Sequence, residues 1–164
     1  MTSTSTITDI NGNPVVTGKP YYVTAPYINK GGWNSETYLF KDYILLSHSD
    51  TSRGKTVIFN KGGAKGESGI PIKENDPIGI HMQSENYPED KYFSYSSKVK
   101  GIYLDSGSKV FYMNKIPNDT YVNKVRFIVG QNPTAHLNFE SGIHDRYWAN
   151  FTHIYNYQDI INLG

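Results

Sequence analysis

Several serine, histidine and lysine side chains could do chemistry, but their spacing does not support catalysis. Ser52 and Ser97 each precede a lysine by three residues, a spacing that activates a serine only when one helical face presents both groups. Strands and turns are predicted at both places, so we attribute this spacing to chance. His144 and Asp145 could act as a base and its orienting acid, but no nucleophile is placed beside them. The sequence therefore predicts a protein that is not an enzyme.

Phosphate and metal sites are not predicted either. The segment SRGKT around Lys55 is similar to the end of a phosphate-binding loop. However, Ser49 replaces the required first glycine, and the segment lies between predicted strands rather than at the start of a helix. The histidines stand alone, without the spacing of metal ligands. They are His48, His81, His136, His144 and His153. We predict no metal and no cofactor.

The charge of the chain argues against broad electrostatic attraction to nucleic acid or to an anionic membrane. Charged residues make up 19% of the 164 residues, and the formal net charge is +1 at pH 7. Cysteine is absent, which removes disulfides, thiol nucleophiles and cysteine-based metal sites. Partners must therefore be inferred from local features.

The first residues do not predict an export signal. The stretch MTSTSTITD lacks the basic and apolar regions of a secretory signal, and no apolar run reaches the ~18 residues of a membrane span. We therefore expect a soluble protein that is cytoplasmic or released by a non-classical route. The length suits one domain, residues 1–164, because domains cluster near ~100–150 residues.

The elements that must position any functional side chain are predicted to be short strands. Aromatic residues make up 14% of the chain, which speaks against disorder, and 15 Gly and 8 Pro mark frequent turns. No long helix is predicted, and YNYQDIINL could form one helical turn or a strand. About a dozen evenly spaced strands indicate a sandwich or a closed barrel. The runs are Tyr21–Thr24, Thr37–Phe40, Tyr43–Ser47, Thr56–Asn60, Ile70–Lys73, Ile78–Met82, Tyr92–Ser96, Gly101–Leu104, Val110–Met113, Val125–Val129, His136–Phe139, Tyr147–Thr152 and Ile160–Leu163.

The stretch DINGNPVVTGKPYYV near the start carries the most specific motif. It resembles the N-terminal signature of the Kunitz soybean-trypsin-inhibitor family, D-x-x-G-x-P-[apolar]-x-x-G-x-x-Y-Y-[apolar]. Later segments are similar to strands of that family, among them GKTVIFN, IPIKENDPIGIHM and SKVFYMNKIPNDTYVNKVRFIVG. The residues at the signature positions are Asp9, Gly12, Pro14, Val15, Gly18, Tyr21, Tyr22 and Val23.

The resemblance covers nearly the whole chain and implies a β-trefoil. In that fold six strands close a barrel, and six more form three hairpins that cap it, with pseudo-threefold symmetry. Closure has a physical advantage here, because it removes sheet edges in a chain without helices to cover them. The resemblance also implies a monomer.

The function implied by the resemblance is defensive protease inhibition through the exposed loop between the fourth and fifth strands. Here that loop reads NKGGAKGESG. Counting from the fourth strand puts Gly63 at the presenting position, and counting back from the fifth puts Ser68 there. Lys61 and Lys65 lie close by and suit a trypsin-like pocket by charge. Inhibitory members support this loop with an Asn at the position that Thr17 holds here. The alternative is that the loop is a solvated connection.

Other loops offer further candidates, because some trefoil inhibitors enter papain-like clefts through different loops. These candidates are Tyr27 and Trp33 in APYINKGGWN, and Arg53 in SHSDTSRGK. Trp33 could be a binding anchor or could fold back into the barrel as a plug. We expect a serine protease as the first partner and a cysteine protease as the second.

A non-enzymatic binding module is the alternative function. Trefoil lectins carry Q-x-W near the end of each repeat, and this chain has no such motif. Carbohydrate binding by scattered tyrosines, or a toxin-associated role, stays open as the second hypothesis.

Overall fold

The structure is a computed structural model. It describes residues 5–62, 66–83, 90–116, 122–130, 135–154 and 156–163. Within them the chain forms twelve strands and one 3₁₀ turn, Ile143–Asp145. The strands are β1 Pro20–Thr24, β2 Trp33–Tyr38, β3 Lys41–Leu46, β4 Val57–Lys61, β5 Ile78–Gln83, β6 Asp90–Ser94, β7 Tyr103–Asp105, β8 Phe111–Lys115, β9 Val125–Val129, β10 His136–Ser141, β11 Tyr147–Thr152 and β12 Asp159–Asn162.

Six strands form a closed circuit of antiparallel pairs. β1 pairs with β4, β4 with β5, β5 with β8, and β8 with β9. β12 pairs with β1, and the circuit closes at Gln158, just before β12, which exchanges two backbone hydrogen bonds with Val125 of β9. Closure leaves these strands without a free edge. The prediction of an all-β chain with a closed barrel is confirmed.

The other six strands form three hairpins, β2–β3, β6–β7 and β10–β11. The hairpins also pair with one another. Tyr43 of β3 pairs with Tyr103 of β7, and Leu45 of β3 pairs with Trp148 of β11. Through these contacts a second closed circuit of eight strands runs from β5 through the hairpins to β8. The barrel and the hairpins therefore form one continuous sheet.

The barrel strands alternate between buried and partly exposed side chains, as the period of two in a strand requires. Tyr21 and Val23 of β1 point inward, as do Val57 and Phe59 of β4. Several of the large aromatic residues belong to this core. Those under 2% exposed are Trp33, Tyr21, Phe59, Phe93, Phe111 and Phe127.

The N-terminal motif forms a turn that leads into β1. The buried Asp9 accepts hydrogen bonds at Oδ1 from the backbone N–H groups of Asn11 and Asn13, at 2.9 and 3.0 Å. Gly12 adopts a φ of +83° there, a conformation that glycine adopts without strain. Farther on, the Tyr21 hydroxyl accepts a hydrogen bond from the Val16 N–H at 2.9 Å. Asp9 and Gly12 therefore hold the turn that precedes β1.

Two predicted strands differ in the structure. Ile70–Lys73 makes only isolated bridges, Pro71 to Val16 and Lys73 to Thr6, because a proline has no N–H to continue a ladder. The predicted strand Thr37–Phe40 also differs, because the observed strand β2 begins earlier, at Trp33. The strand ends at Tyr38, and the next two residues form the hairpin turn. No helix in the described part of the chain is long and apolar enough to cross a membrane.

Candidate functional site

The loop proposed for protease binding leaves the barrel at the end of β4. Lys61 is the last residue of that strand, and its backbone pairs with Ile78 of β5. Its ammonium lies 3.5 Å from the Asp76 carboxylate. The next N–H group, that of Gly62, donates to the Pro77 carbonyl at 2.9 Å. The start of the loop is therefore fixed by the sheet and by the turn before β5.

Thr17 fixes the other end of the loop. This side chain is 1% exposed, and its hydroxyl donates to the Glu67 carbonyl at 2.7 Å and accepts from the Ile70 N–H at 3.1 Å. Its backbone adds two more bonds, from the Gly69 N–H and to the Ile70 carbonyl. A threonine at this position thus makes direct supporting contacts to the loop.

Gly18 explains the second glycine of the N-terminal motif. Its φ is +74°, and a β-carbon there would lie 2.3 Å from the Ser68 hydroxyl oxygen and 3.0 Å from the Ser68 α-carbon. Only glycine lets the loop backbone approach this closely without strain. The motif that indicates the fold therefore also forms the platform under the loop.

Of the remaining loop candidates, the structure describes Ser68. Ser68 is exposed, as are its neighbours Glu67 and Gly69. Gly63 and Lys65 lie outside the described residues. The structure therefore brings Thr17, Gly18 and Ser68 together, and it places Lys61 at the end of β4.

Tyr27 lies in the connection between β1 and β2. Its ring is 37% exposed, but its hydroxyl points inward, donating to Asn138 Oδ1 at 3.0 Å and accepting from Gln158 Nε2 at 3.2 Å. Burial of the hydroxyl raises the pKa of Tyr27 to about 12; the Gln158 hydrogen bond opposes this shift, and neighbouring Tyr157 adds to it. The ring is therefore partly available to a partner, whereas the hydroxyl is used inside the protein.

Arg53 lies in the connection between β3 and β4. Its guanidinium carbon is 5.7 Å from the centre of the Tyr22 ring. This connection packs against the β1–β2 connection, since the Gly32 N–H donates to the Ser52 carbonyl and a β-carbon on Gly32 would lie 2.0 Å from the Arg53 carbonyl oxygen. The two secondary loops thus form one surface.

Trp33 is not a binding anchor. It is fully buried, and its ring centroid lies 5.0 Å from that of Phe127 and 5.7 Å from that of Phe93. Its indole N–H donates to Gln158 Oε1 at 3.2 Å, which satisfies the one polar group of the side chain. Of the two alternatives for this residue, the barrel plug is observed.

Sequence reasoning missed a buried polar pair beside the loop. Asn60, immediately before Lys61, lies with its Nδ2 atom 2.7 Å from Nδ1 of His81 across the β4–β5 pair. Both side chains are at most 5% exposed. No local signal identified this pair, because the two residues are 21 apart in sequence.

No protein-family model and no curated protein matches the chain. The chain does match solved structures. A Kunitz type trypsin inhibitor from Cicer arietinum matches with a TM-score of 0.73 and 19% identity over 98% of this chain and 99% of that one. The chain has the fold of a Kunitz trypsin inhibitor. The resemblance inferred from the N-terminal motif is therefore confirmed at the level of the fold.

Two further matches show how widely this Kunitz fold is used. A chain of the complex between porcine pancreatic trypsin and soybean trypsin inhibitor matches with a TM-score of 0.77 and 13% identity over 98% of this chain and 100% of that one. A water-soluble chlorophyll protein from Brassica oleracea matches with a TM-score of 0.75 and 15% identity over 98% and 99%. These neighbours are named as inhibitors or binding proteins, not enzymes.

Proposed function

We propose that this protein is a protease inhibitor without enzymatic activity, which blocks a protease active site with the loop from Lys61 to Ile70. The observation that carries the proposal is the clamp at the base of the loop. Thr17 holds Glu67 and Ile70 at one end, and the turn at Pro77 holds Gly62 at the other. The trypsin complex formed by a protein of the same fold supports a serine protease as the first target.

The clamp matters because ordering a free backbone opposes binding. Each residue that must be fixed on docking costs roughly 1–2 kcal/mol of backbone entropy, and glycines lose more freedom than other residues. The loop contains four glycines. A clamp at both ends reduces the entropy that remains to be lost, so the loop can bind a cleft rather than be cleaved.

Lys65 is the residue that we expect to enter a trypsin-like pocket. Lys61 is the weaker candidate, because its backbone is used in the pairing with Ile78 and its ammonium faces Asp76. Gly63 and Ser68 remain the alternatives, because counting from the fourth strand and counting back from the fifth strand put them at the presenting position. In this proposal Ser68 lies against Gly18 and contributes to positioning.

Inhibition assays test the proposal. The purified protein is titrated against trypsin, chymotrypsin, subtilisin and papain at micromolar concentrations. We expect inhibition of trypsin, weakened at least about tenfold, or ~1.4 kcal/mol, by Lys65→Ala and little changed by Lys61→Ala. Electrophoresis over time separates an inhibitor from a substrate, because a substrate loop is cut to completion. No inhibition of any of the four proteases would refute the proposal.

The two secondary loops, which contain Tyr27 and Arg53, are the proposed contact for a cysteine protease. If papain is inhibited as well as trypsin, the surface that contains Arg53 and the Tyr27 ring is the proposed contact with papain, and Arg53→Ala should weaken inhibition of papain. Trypsin inhibition should not respond to Arg53→Ala. The same comparison therefore assigns each protease to one loop.

Nothing in the described residues specifically favours the alternative of a lectin-like or toxin-associated module. Part of the aromatic content that motivated it lies in the core, where six aromatic side chains are under 2% exposed. We further infer that residues 1–164 form one monomeric domain and that the three hairpins are related by the pseudo-threefold symmetry of a β-trefoil.

A further inference from the structure

A cavity of about 770 Å³ lies on a part of the surface that shares no residue with the loop from Lys61 to Ile70. It opens between the connection that follows β6, the ends of the β9–β10 connection and the end of β11. Its volume falls within the ~300–1,000 Å³ typical of small-molecule sites. The described residues that line it are Tyr95, Ser96, Ser97, Lys100, Val129, Gly130, Ala135, Phe151, Thr152 and His153.

The apolar wall of the cavity is held in place by core contacts. The Tyr95 ring packs edge to face against Phe111 and Phe151, with centroids 5.4 and 6.2 Å apart. Its hydroxyl donates to the Val110 carbonyl at 2.9 Å. Gly130 has a φ of +66°, and a β-carbon there would lie 2.7 Å from the Tyr95 hydroxyl oxygen. The wall is therefore preformed and does not need a ligand to shape it.

The permanent charge among the described lining residues of the cavity is positive. Among the lining residues that the structure describes, Lys100 carries the only permanent charge and none is acidic. A second observation agrees. Burial, followed by electrostatic interaction with Arg126 and then with His153, lowers the pKa of the neighbouring His136. The local field therefore favours an anion.

Thr152 adds a hydrogen-bond donor to the polar side of the cavity. Its hydroxyl oxygen accepts from the Ile154 N–H at 3.1 Å and from Asn138 Nδ2 at 3.5 Å. With both acceptor positions used, the hydroxyl proton is left to donate. One permanent cation and one hydroxyl donor match a singly charged head group such as a carboxylate.

We propose that this cavity binds a small amphipathic carboxylate. Its apolar tail lies against Tyr95, Val129 and Phe151, and its carboxylate lies beside Lys100 and the Thr152 hydroxyl. The proposal does not depend on protease inhibition, because no residue of the clamped loop takes part.

Calorimetric titration with decanoate tests the proposal, with decanol and decyltrimethylammonium as ligands of the same tail and different charge. We expect decanoate to bind at millimolar concentration or below, decanol to bind more weakly, and decyltrimethylammonium not to bind. Lys100→Gln should weaken decanoate about tenfold, which corresponds to ~1.4 kcal/mol. Lys98→Gln is the matched control, because Lys98 is exposed nearby but does not line the cavity, and it should have no effect.

Ala135→Phe should fill the cavity and abolish binding of decanoate. If this variant does not fold, the comparison of Lys100→Gln with Lys98→Gln decides alone. The proposal is overturned if decanoate does not bind at millimolar concentration, if both lysine substitutions weaken it equally, or if decyltrimethylammonium binds as tightly. A trypsin assay with decanoate present should give unchanged inhibition, which separates this site from the inhibitory loop.

Discussion

The Thr17 hydroxyl lies 2.7 Å from the Glu67 carbonyl oxygen, to which it donates a hydrogen bond across 50 residues of sequence. The Thr17 hydroxyl oxygen also accepts a hydrogen bond from the Ile70 N–H. One buried side chain thus joins the residues just before β1 to the exposed loop between β4 and β5. This contact makes the loop sensitive to a residue that lies outside it.

Thr17→Val keeps the shape of the side chain and removes both of its hydrogen bonds. We expect the free energy of unfolding to fall by about 1–2 kcal/mol, because the Ile70 N–H loses its partner. Protease inhibition should weaken by more than the change in folded fraction explains. Urea denaturation and inhibition assays measure the two effects, with Thr24→Val of β1 as the matched control. Equal inhibition by Thr17→Val and wild type would contradict a supporting role.

Gly18→Ala should disturb both the backbone and the loop. The residue keeps a φ of +74°, where an alanine is strained by roughly 1–2 kcal/mol, and the added methyl group meets Ser68. Gly12→Ala is the control, because its φ is +83° but its nearest neighbour would lie 3.8 Å from the added carbon. We expect both variants to lose stability and only Gly18→Ala to lose inhibition. Loss of inhibition in both would show that general destabilisation is the cause.

The β2–β3 turn is built from residues that disfavour it. Leu39 and Phe40 have φ values of +50° and +70°, as in the two-residue hairpin turn that usually contains Asn-Gly, and they are 69% and 102% exposed. Replacing the pair with Asn-Gly should raise the free energy of unfolding by about 1–2 kcal/mol, since strain is relieved and little packing is lost. Denaturant midpoints measure this gain.

Ile143→Asn separates relief of strain from loss of an exposed apolar side chain, because Ile143 lies in the connection between β10 and β11, where the neighbouring His144 ring packs near Tyr38 of β2. Ile143 is 48% exposed and is not among the residues with positive φ. We expect this variant to match the wild type within about 0.5 kcal/mol. If Ile143→Asn stabilises the protein as much as the Asn-Gly turn does, relief of strain is not the reason.

Tyr27 should make stability depend on pH in the alkaline range. Its pKa is raised to about 12 in the folded state, whereas an unfolded tyrosine titrates near ~10. Its contribution is therefore fully present below about pH 10 and is lost as the pH rises toward 12, because the unfolded chain releases the proton first. Tyr21 and Tyr95 also have raised pKa values owing to burial, and they add to this slope.

Tyr27→Phe isolates the contribution of Tyr27, since the other tyrosines are unchanged. At neutral pH we expect a loss of about 1–2 kcal/mol, because Asn138 and Gln158 lose the hydroxyl. Above about pH 10 the decline in stability should be less steep than in the wild type. Urea midpoints across that range are the measurement, and parallel curves for the two proteins would contradict the assignment.

Local patterns were sufficient to predict most strands. Runs such as Val125–Val129 and Tyr147–Thr152 coincide with β9 and β11, because β-branched and aromatic residues between turn residues favour extended backbone at short range. The pattern misled where one residue changed the outcome. Pro71 prevents a continuous ladder in Ile70–Lys73, and Leu39–Phe40 turns although its residues favour strands.

Only part of the candidate site could be predicted from the sequence. The N-terminal motif pointed to Thr17 as the support for the loop, and the contacts to Glu67 and Ile70 agree with that position. The role of Gly18 under Ser68 was not foreseen, because a single glycine does not reveal what packs against it. The cavity beside Lys100 was also missed, since its walls come from three separate parts of the chain.

By itself, the sequence determined where most turns and extended segments lie, because residues such as Asp9 and Gly12 act on the backbone within a few positions. Only the tertiary structure decided which strands meet. It closed the barrel between Val125 and Gln158, and it buried Trp33 against Phe127 rather than exposing it in a loop. These outcomes depend on packing energy shared among distant residues, and no local pattern contains that energy.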